Sequence, residues 1–472
     1  MENIIAQQLV KMQGAILEKI QEEGLKDIGK TAEALLRVVK ENTCELLKAI
    51  LETTDTLIAE EAKAARKADG LKVKERNVKR SLLTSLGEME YRRTYYETAE
   101  GEYVYLLDHL IGVEPYERVS KALCAKLVNL SAEMSYGKSV RHGNAEVSRQ
   151  TVSNKVSGLR EVVVDVEQVK HTPEELHIFA DEDHVHMKDG KNAIVPLVTI
   201  TEGIDMSDQK RHRLINPLHI AGYGMEADVF NDQVEACVNE RHNINAVKRI
   251  YIHGDGANRI VSLEERFPNA SHVLDGFHLE KYLKKLGHYN GAAQRMSALR
   301  AALRDGNWKT YKKLLEDIYV LQTRKDRERC KPIILCLWKN RQAAHLRYDS
   351  NICGSCTESL VSHVLSERLS RTPLAWSEQG LAKMTMLVVY LKNGRKVTAS
   401  DIRVSVTADE QARENLTLRS GWSKYCNYMN RQIELILNTD WVNAFQNQSF
   451  AFGKVDAAFV IRKAFGALRS AV

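Results

Sequence analysis

Asp181 in IFADEDHVHMKDG, Asp255 in IYIHGDGANRI and Glu358 in CTESLVSHVLSERLS are the acidic side chains best placed to do chemistry. The first two sit at the ends of short apolar runs that read as strands, and the third opens a helical stretch. Hard divalent cations take oxygen ligands, and carboxylates on rigid elements supply them. Two aspartates from neighbouring strand ends and a glutamate from a later helix can hold a pair of such ions about 3.5–4 Å apart, the spacing used in phosphodiester chemistry. Three acids sharing a desolvated pocket repel one another, so bound cations are what keep them ionised. The expectation is two Mg²⁺ ions, with Mn²⁺ as a substitute, held by Asp181, Asp255 and Glu358 in a site that cuts and joins DNA.

Spacing alone leaves rivals. Asp183 shares the strand face of Asp181, because side chains on a strand alternate between faces. Glu367 follows Glu358 on the same helical stretch. Asp275 and His278 in DGFH come just after a strand and could hydrogen-bond each other, orient DNA or brace a neighbouring element. His184, His186 and His363 read as partly exposed or supporting histidines. Of Cys330, Cys336, Cys353 and Cys356, only the last two have zinc-ribbon spacing, and no second tight pair completes four ligands. Trp376 reads as a core or lid residue, with stacking on an unpaired base as the other use.

The elements that must position these groups follow from pattern. The 472 residues leave room for about three domains. Apolar content of 44% and charged content of 28% are ordinary for a globular protein. No apolar run approaches the roughly 18 residues of a membrane span, so no membrane partner is expected. The opening MENIIAQQLVKMQ lacks the layout of a secretory signal, and a cytoplasmic location is expected. Eight scattered cysteines read as reduced thiols. The net charge of +6 says less than its distribution: Lys63 to Arg80 holds eight basic residues against Asp69 and Glu75. Lys72, Lys74, Arg76, Lys79 and Arg80 form a strip able to meet phosphates, or else one solvated helix face.

Residues 1–62 carry helical periodicity and read as an N-terminal arm. MEYRRTYYETAEGEYVYLL alternates around Glu100 and Gly101 as a β-hairpin, and LLDHLIGVEPYERV returns to helix. KALCAKLVNLSAEM, SYGKSVRH and the Ser148-capped VSRQTVSNKVSGL read as a helix-turn-helix with its turn at Gly143, or as a small helical bundle of the same periodicity. Arg149, Gln150, Asn154 and Lys155 on its last helix are types suited to base edges and phosphates of double-stranded DNA. From His171 onward the pattern is β-β-β-α-β-α-β, the order of a ribonuclease-H-like fold, with no glycine-rich dinucleotide fingerprint. A charged helical stretch follows, broken only at Pro332.

ADEDHVHMKDGK, YIHGDGANRI, LDGFHLEKYL and TESLVSHVLSERLSRTPLAWS together resemble bacterial insertion-sequence transposases of the ISLre type, relatives of the Mutator-like transposases in the DDE superfamily. RRTYY and the helix-turn-helix also fall where that family has them. The resemblance implies a transposase with Asp181, Asp255 and Glu358 as catalytic residues and DNA as partner. ESLVSHVLSERL is similar to the glutamate-bearing helix of other Mutator-like enzymes, which favours Glu358 over Glu367. DGFH matches that superfamily's signature of Asp or Cys, two residues, then His, giving Asp275 and His278 a supporting part.

The expected organisation is a helical arm (1–62), a basic segment and hairpin (63–112), a helix-turn-helix (113–170), an α/β ribonuclease-H-like catalytic domain (171–279 and 351–395), a helical insertion (280–350) and a C-terminal region of unknown role (396–472). The chain is expected to bind the element's terminal repeats and target DNA as a homo-oligomer. A metal-dependent nuclease that cuts without joining, and a non-catalytic DNA-binding protein derived from a transposase, remain the alternatives.

Overall fold

The leucine and isoleucine spacing at the start of the chain becomes two helices packed on each other, α1 (Glu2–Glu23) and α2 (Ile28–Glu60). They belong to a computed structural model that describes residues 2–23, 27–60, 63, 67, 70–159, 166–169, 171–208, 212–372 and 374–402. The chain divides into two units, one of residues 1–130, 136–160 and 397–472, the other of residues 131–135 and 161–396. The C-terminal aromatic residues Trp422, Tyr425, Tyr428, Trp441 and Phe445 lie outside the described residues. Among the described residues, no helix is long and apolar enough to cross a membrane.

In the first unit, α2 lies on a long antiparallel hairpin of β1 (Lys72–Thr84) and β2 (Gly87–Glu97). Leu51 packs with Leu82, Met89 and Tyr91, and Ile58 with Leu71 and Tyr96. Asp55 of α2 is buried and accepts from the Thr94 N–H at 2.9 Å and its hydroxyl at 2.6 Å, so the helix is keyed to one register on the strand. The basic strip therefore lies largely on a strand rather than a helix. Lys74, Arg76 and Lys79 are paired with Glu97, Glu60 and Glu90, and Arg80 turns to donate to the carbonyls of Glu114 and Glu117. Lys72 is exposed at the strand's start. Glu100 and Gly101 do form a turn, joining β2 to the two-residue β3 (Tyr103–Val104), and Gly101 takes φ +81.

The helix expected across LLDHLIGVEPYERV is shorter than its sequence suggests: α3 spans Leu106–Leu110 only. Asp108 in it is buried against Arg93 as an ion pair and accepts from the Tyr91 hydroxyl at 3.0 Å. Arg93 also lies 3.4 Å above the Tyr105 ring. Three helices follow: α4 (Lys121–Glu133), α5 (Tyr136–Gly143) and α6 (Arg149–Ser157). The Ser148 side chain caps α6 by accepting from the Thr151 N–H at 3.1 Å. Gly143 is required by packing, since a Cβ there would collide with the buried Leu127. Gly143→Ala is expected to lower the unit's stability by about 1–3 kcal/mol in urea unfolding, with the midpoint as readout.

The second unit is built on a five-stranded mixed sheet. Its strands are β4 (Glu175–His186), β5 (Asn192–Thr201), β8 (Leu218–Ala221), β9 (Arg249–Gly254) and β10 (Ala270–Leu274), with β6 (Ile204–Asp205) and β7 (Arg213–Leu214) as a separate small pair. The spatial order is β8-β5-β4-β9-β10, antiparallel through β8-β5-β4 and parallel through β4-β9-β10. Gly190 makes the β4–β5 turn at φ +81. Leu176, Ile178 and Ala180 face one side, where they join a core with Phe230 and Val234 of α7 (Ala227–Arg241) and Ile260 of α8 (Asn258–Glu264). Alternation sends His177, Phe179, Asp181 and Asp183 to the other side.

After β10 come α9 (Gly276–Gly287), α10 (Ala292–Arg304), α11 (Trp308–Val320), α12 (Arg324–Lys339) and α13 (Arg341–Leu346), which share a core of their own around Leu283, Leu303, Tyr311 and Leu315. The helical stretch begins at Gly276, earlier than Glu280, because Asp275 caps α9 straight off the strand. Pro332 sits inside α12 without ending it. Both Pro332 and Glu328, whose carbonyl loses its donor, are on the exposed side, where water can take over. The chain returns through α14 (Thr357–Val361), a π-helical turn (Ser362–Ser366), α15 (Glu367–Leu369) and α16 (Glu378–Lys392).

Candidate active site

Asp181 sits on the central strand with its side chain half-buried, and its Oδ1 accepts from the Glu182 N–H at 2.9 Å. Asp255 follows the end of β9, the parallel neighbour of β4, and its Oδ1 accepts from the Ala257 N–H at 2.8 Å. The glycines around it serve two purposes. Gly256 takes φ +80 with its Cα against the Asn340 amide, where a Cβ would come within 2.9 Å. A Cβ on Gly254 would strike Ile260 and approach the Ala180 carbonyl at 3.0 Å. Both keep the strand end close to its neighbours.

Glu358 stands in the first turn of α14 with 51% of its side chain exposed. His278 lies between the acids: its Nε2 is 3.9 Å from Glu358 Oε1 and its Nδ1 3.3 Å from Asp275 Oδ2. Asp275 raises the His278 pKa most, and the charges of Asp181 and Asp255 add to it. The Asp181 carboxyl is pushed up to about 6, chiefly by burial, and Glu358 and Asp255 push the same way. The four groups thus share one electrostatic field. Among the described residues, the oxygens of Asp181, Asp255 and Glu358 do not all come within 4.8 Å of one another.

Asp275 is the brace. It is 3% exposed, caps α9 by accepting from the Phe277 N–H at 3.1 Å, and feels the hydroxyls of Ser355 and Thr357 at the head of α14. Burial alone would raise its pKa, but His278, Ser355 and Thr357 hold it near 2. One carboxylate therefore ties the start of the helical insertion to the turn that carries Glu358. Because the folded pKa lies below the ordinary value, its stabilisation is present above about pH 4 and is lost as pH falls towards 2, an effect of about 2 kcal/mol. Asp275→Asn should flatten that acid limb in pH-dependent unfolding.

The rivals are occupied elsewhere. Asp183 is buried and accepts from the Ser370 hydroxyl on both oxygens at 2.9 Å, which clamps the far end of the glutamate helix to β4. Glu367 is 3.1 Å from His363 and within 4 Å of Arg371 and Lys392. His184 is exposed beside Glu182, and His186 is exposed beside Asn192. The Trp376 indole is buried, donates to the Leu369 carbonyl at 2.9 Å and lies under Arg368, so it is a packing residue. In the first unit, Arg149, Gln150 and Asn154 are exposed on α6, with Gln150 donating to Asn154 at 2.8 Å, and Lys155 is half-buried. Ser355, Thr357, Ser370 and Asn340 were not legible as site residues, because each acts through a contact with a residue remote in the chain.

Residues 21–404 match the model of UPF0236, described as an uncharacterised protein family. A UPF0236 protein of Caldanaerobacter subterraneus subsp. tengcongensis is 34% identical over 355 residues, covering 74% of this chain and 74% of its own length, and its name joins eleven locus designations. A second from that organism is 32% identical over 402 residues, covering 83% and 84%, and joins four designations. A Streptococcus gallolyticus protein, named for its place in the 3′ region of vanSb, is 25% identical over 330 residues, covering 65% and 71%.

Proposed function

The chain belongs to UPF0236, an uncharacterised protein family, and we propose that it is a DNA transposase that cleaves the ends of an insertion sequence and joins them to target DNA. The observation that carries this reading is the convergence of Asp181, Asp255 and Glu358 around His278, from two adjacent parallel strands and a helix distant in sequence. We read the five-stranded domain as ribonuclease-H-like. In chain order its strands lie 3-2-1-4-5 with the second antiparallel, which supports that assignment. The relatives add support of another kind: one protein name spanning eleven loci of one organism is what an element that copies itself leaves behind.

In this reading Asp181, Asp255 and Glu358 hold the divalent cations. The donor set suits them in kind, since carboxylates are oxygen ligands for hard cations and Asp255 and Glu358 both bear on the half-buried Asp181. Bound Mg²⁺, or Mn²⁺ in its place, would supply the positive charge that favours the attacking oxygen and stabilises the leaving one. Asp275 and His278 fix the head of the glutamate helix, and the Asp183–Ser370 clamp fixes its other end. Water cleaves the phosphodiester at the element's end and leaves a 3′-hydroxyl. That oxygen then bonds to a target phosphorus while the target's own 3′-oxygen departs. We read α4 to α6 as a helix-turn-helix, with Arg149, Gln150, Asn154 and Lys155 meeting the terminal repeats. Lys72 and its basic neighbours would meet flanking phosphates. An element has two ends, so a homo-oligomer on DNA would bring both to one reaction.

The test uses purified protein, Mg²⁺, duplexes carrying the DNA that flanks the gene, and a target plasmid. Duplexes joined to the plasmid are the expected product. Nicks without joints would make the protein a nuclease, and protected DNA without cleavage would make it a binding protein; either overturns the proposal.

A further inference from the structure

One group of side chains lies outside the chemistry above, on the same face of the sheet and further back along the strands. His177 of β4 and His253 of β9 are buried at 3% and 0% exposure, and Cys353 reaches them from the segment that precedes α14. His177 Nδ1 is 3.1 Å from His253 Nε2 and 3.0 Å from Cys353 Sγ, and the three donor atoms all lie within 4.8 Å of one another.

Hydrogen bonding alone cannot satisfy this cluster. A ring nitrogen carries either one hydrogen or one lone pair in the plane of the ring, so His177 Nδ1 can bond one of its two neighbours and not both. The other contact, at about 3 Å in a buried apolar layer of Phe179, Tyr251 and Ile352, is then left without a hydrogen. A cation between the three atoms resolves the conflict, because every one of them then points a lone pair at it. Two imidazoles and a thiolate are a donor set for zinc or another borderline-soft ion, and not for Mg²⁺.

We propose that His177, His253 and Cys353 form a structural zinc site, with Cys356 as the fourth donor, which staples the segment before Glu358 to the two central strands. Cys356 follows at CxxC spacing and stands outside the three atoms that lie within 4.8 Å of one another, so its ligation calls for the segment before α14 to close on the ion. Tetrahedral zinc with bonds of about 2.0–2.3 Å places its donors about 3.3–3.8 Å apart, so the two contacts to His177 Nδ1 would each open by a few tenths of an ångström. Both imidazoles are buried away from water, and an uncharged ring nitrogen is the form that binds metal. Burial pushes the Cys353 thiol up to about 12, so ionising it there calls for a nearby cation. The ion's work is positional. Cys353 and Cys356 lead directly into Thr357 and Glu358, and tying them down limits how far the glutamate can drift.

The test is metal content, which does not depend on any reaction with DNA. Full-length protein is loaded with Zn²⁺ under reducing conditions, dialysed without chelator and assayed by atomic emission. About one zinc per chain is expected. Replacement by Co²⁺ should give the intense visible bands of a tetrahedral thiolate site. Cys353→Ser should lose the ion, Cys356→Ser should weaken its retention, and Asp181→Asn should keep it. Wild-type protein that holds well below one zinc and gives no Co²⁺ bands overturns the proposal, as does a Cys353–Cys356 disulfide found by mass in its place. Full retention by Cys353→Ser does the same. If zinc is present but no joints form, it is the transposase reading that fails and this one that stands.

Discussion

Replacing Asp181 or Asp255 by Asn, or Glu358 by Gln, lowers end cleavage and joining by about 10³-fold or more while leaving binding of the element's ends within about twofold. The amides keep shape and most local hydrogen bonds: in Asp181→Asn the amide oxygen could still accept from the Glu182 N–H, as the carboxylate does at 2.9 Å. What they remove is negative charge from a place where three acids share one field and, in the proposed reading, the affinity for divalent cations that goes with it. End binding is assigned to α6 and the basic strand, so it should not move. Controls come from the rivals. Glu367→Gln should stay near wild type, because Glu367 pairs with His363, Arg371 and Lys392. Asp183→Asn should fall between, since the amide oxygen can still accept the one Ser370 hydroxyl hydrogen but without the negative charge that strengthens the bond. Gel assays of joined product beside mobility shifts measure both quantities. Glu358→Gln at wild-type activity would remove that residue from the site.

Asp108→Ala should unfold the first unit far more readily, by about 3–5 kcal/mol. Arg93 and Asp108 each have only 7% of the side chain exposed, and the Tyr91 hydroxyl donates to the same carboxylate. Truncating Asp108 leaves a guanidinium buried with the Tyr105 ring as its main offset, and burial already depresses its pKa. Replacing both members, as Arg93→Met with Asp108→Leu, should recover most of the loss, because a buried pair costs much of its attraction in desolvation. Chemical denaturation of the single and double variants measures this. If Asp108→Ala costs under about 1 kcal/mol, the pair behaves as a surface bridge.

The strands of the second unit were legible because their apolar residues alternate or run together. The sequence could not tell Asp181 from Asp183, which share a strand face; the hydroxyl of Ser370, far along the chain, separates them. The same holds for Glu358 and Glu367, where pairing with Lys392 distinguishes the second. The basic strip was visible as composition, but its acidic partners Glu60, Glu90 and Glu97 come from other elements. His177 and His253 were hidden within apolar strands, 76 residues apart, where a histidine reads as filling. Pro332 misled because a proline's lost hydrogen bond costs less where water can reach the freed Glu328 carbonyl, and exposure is not written in the local sequence. Pro332 apart, each miss is a contact between residues far apart in the chain.

The π-helical turn at Ser362–Ser366 sets a constraint on length. Such a turn arises when one extra residue is accommodated in an α-helix, and both ends of this helix are pinned, by Asp275 at its head and by Asp183 at Ser370. The wider π-helical turn takes back nearly all of the roughly 100° that one extra residue would add, so the helix carries that residue and still presents Glu358 and Ser370 on their own faces. Val364 and Leu365 within the turn are buried, so packing holds their identities while the bulge takes up the extra length.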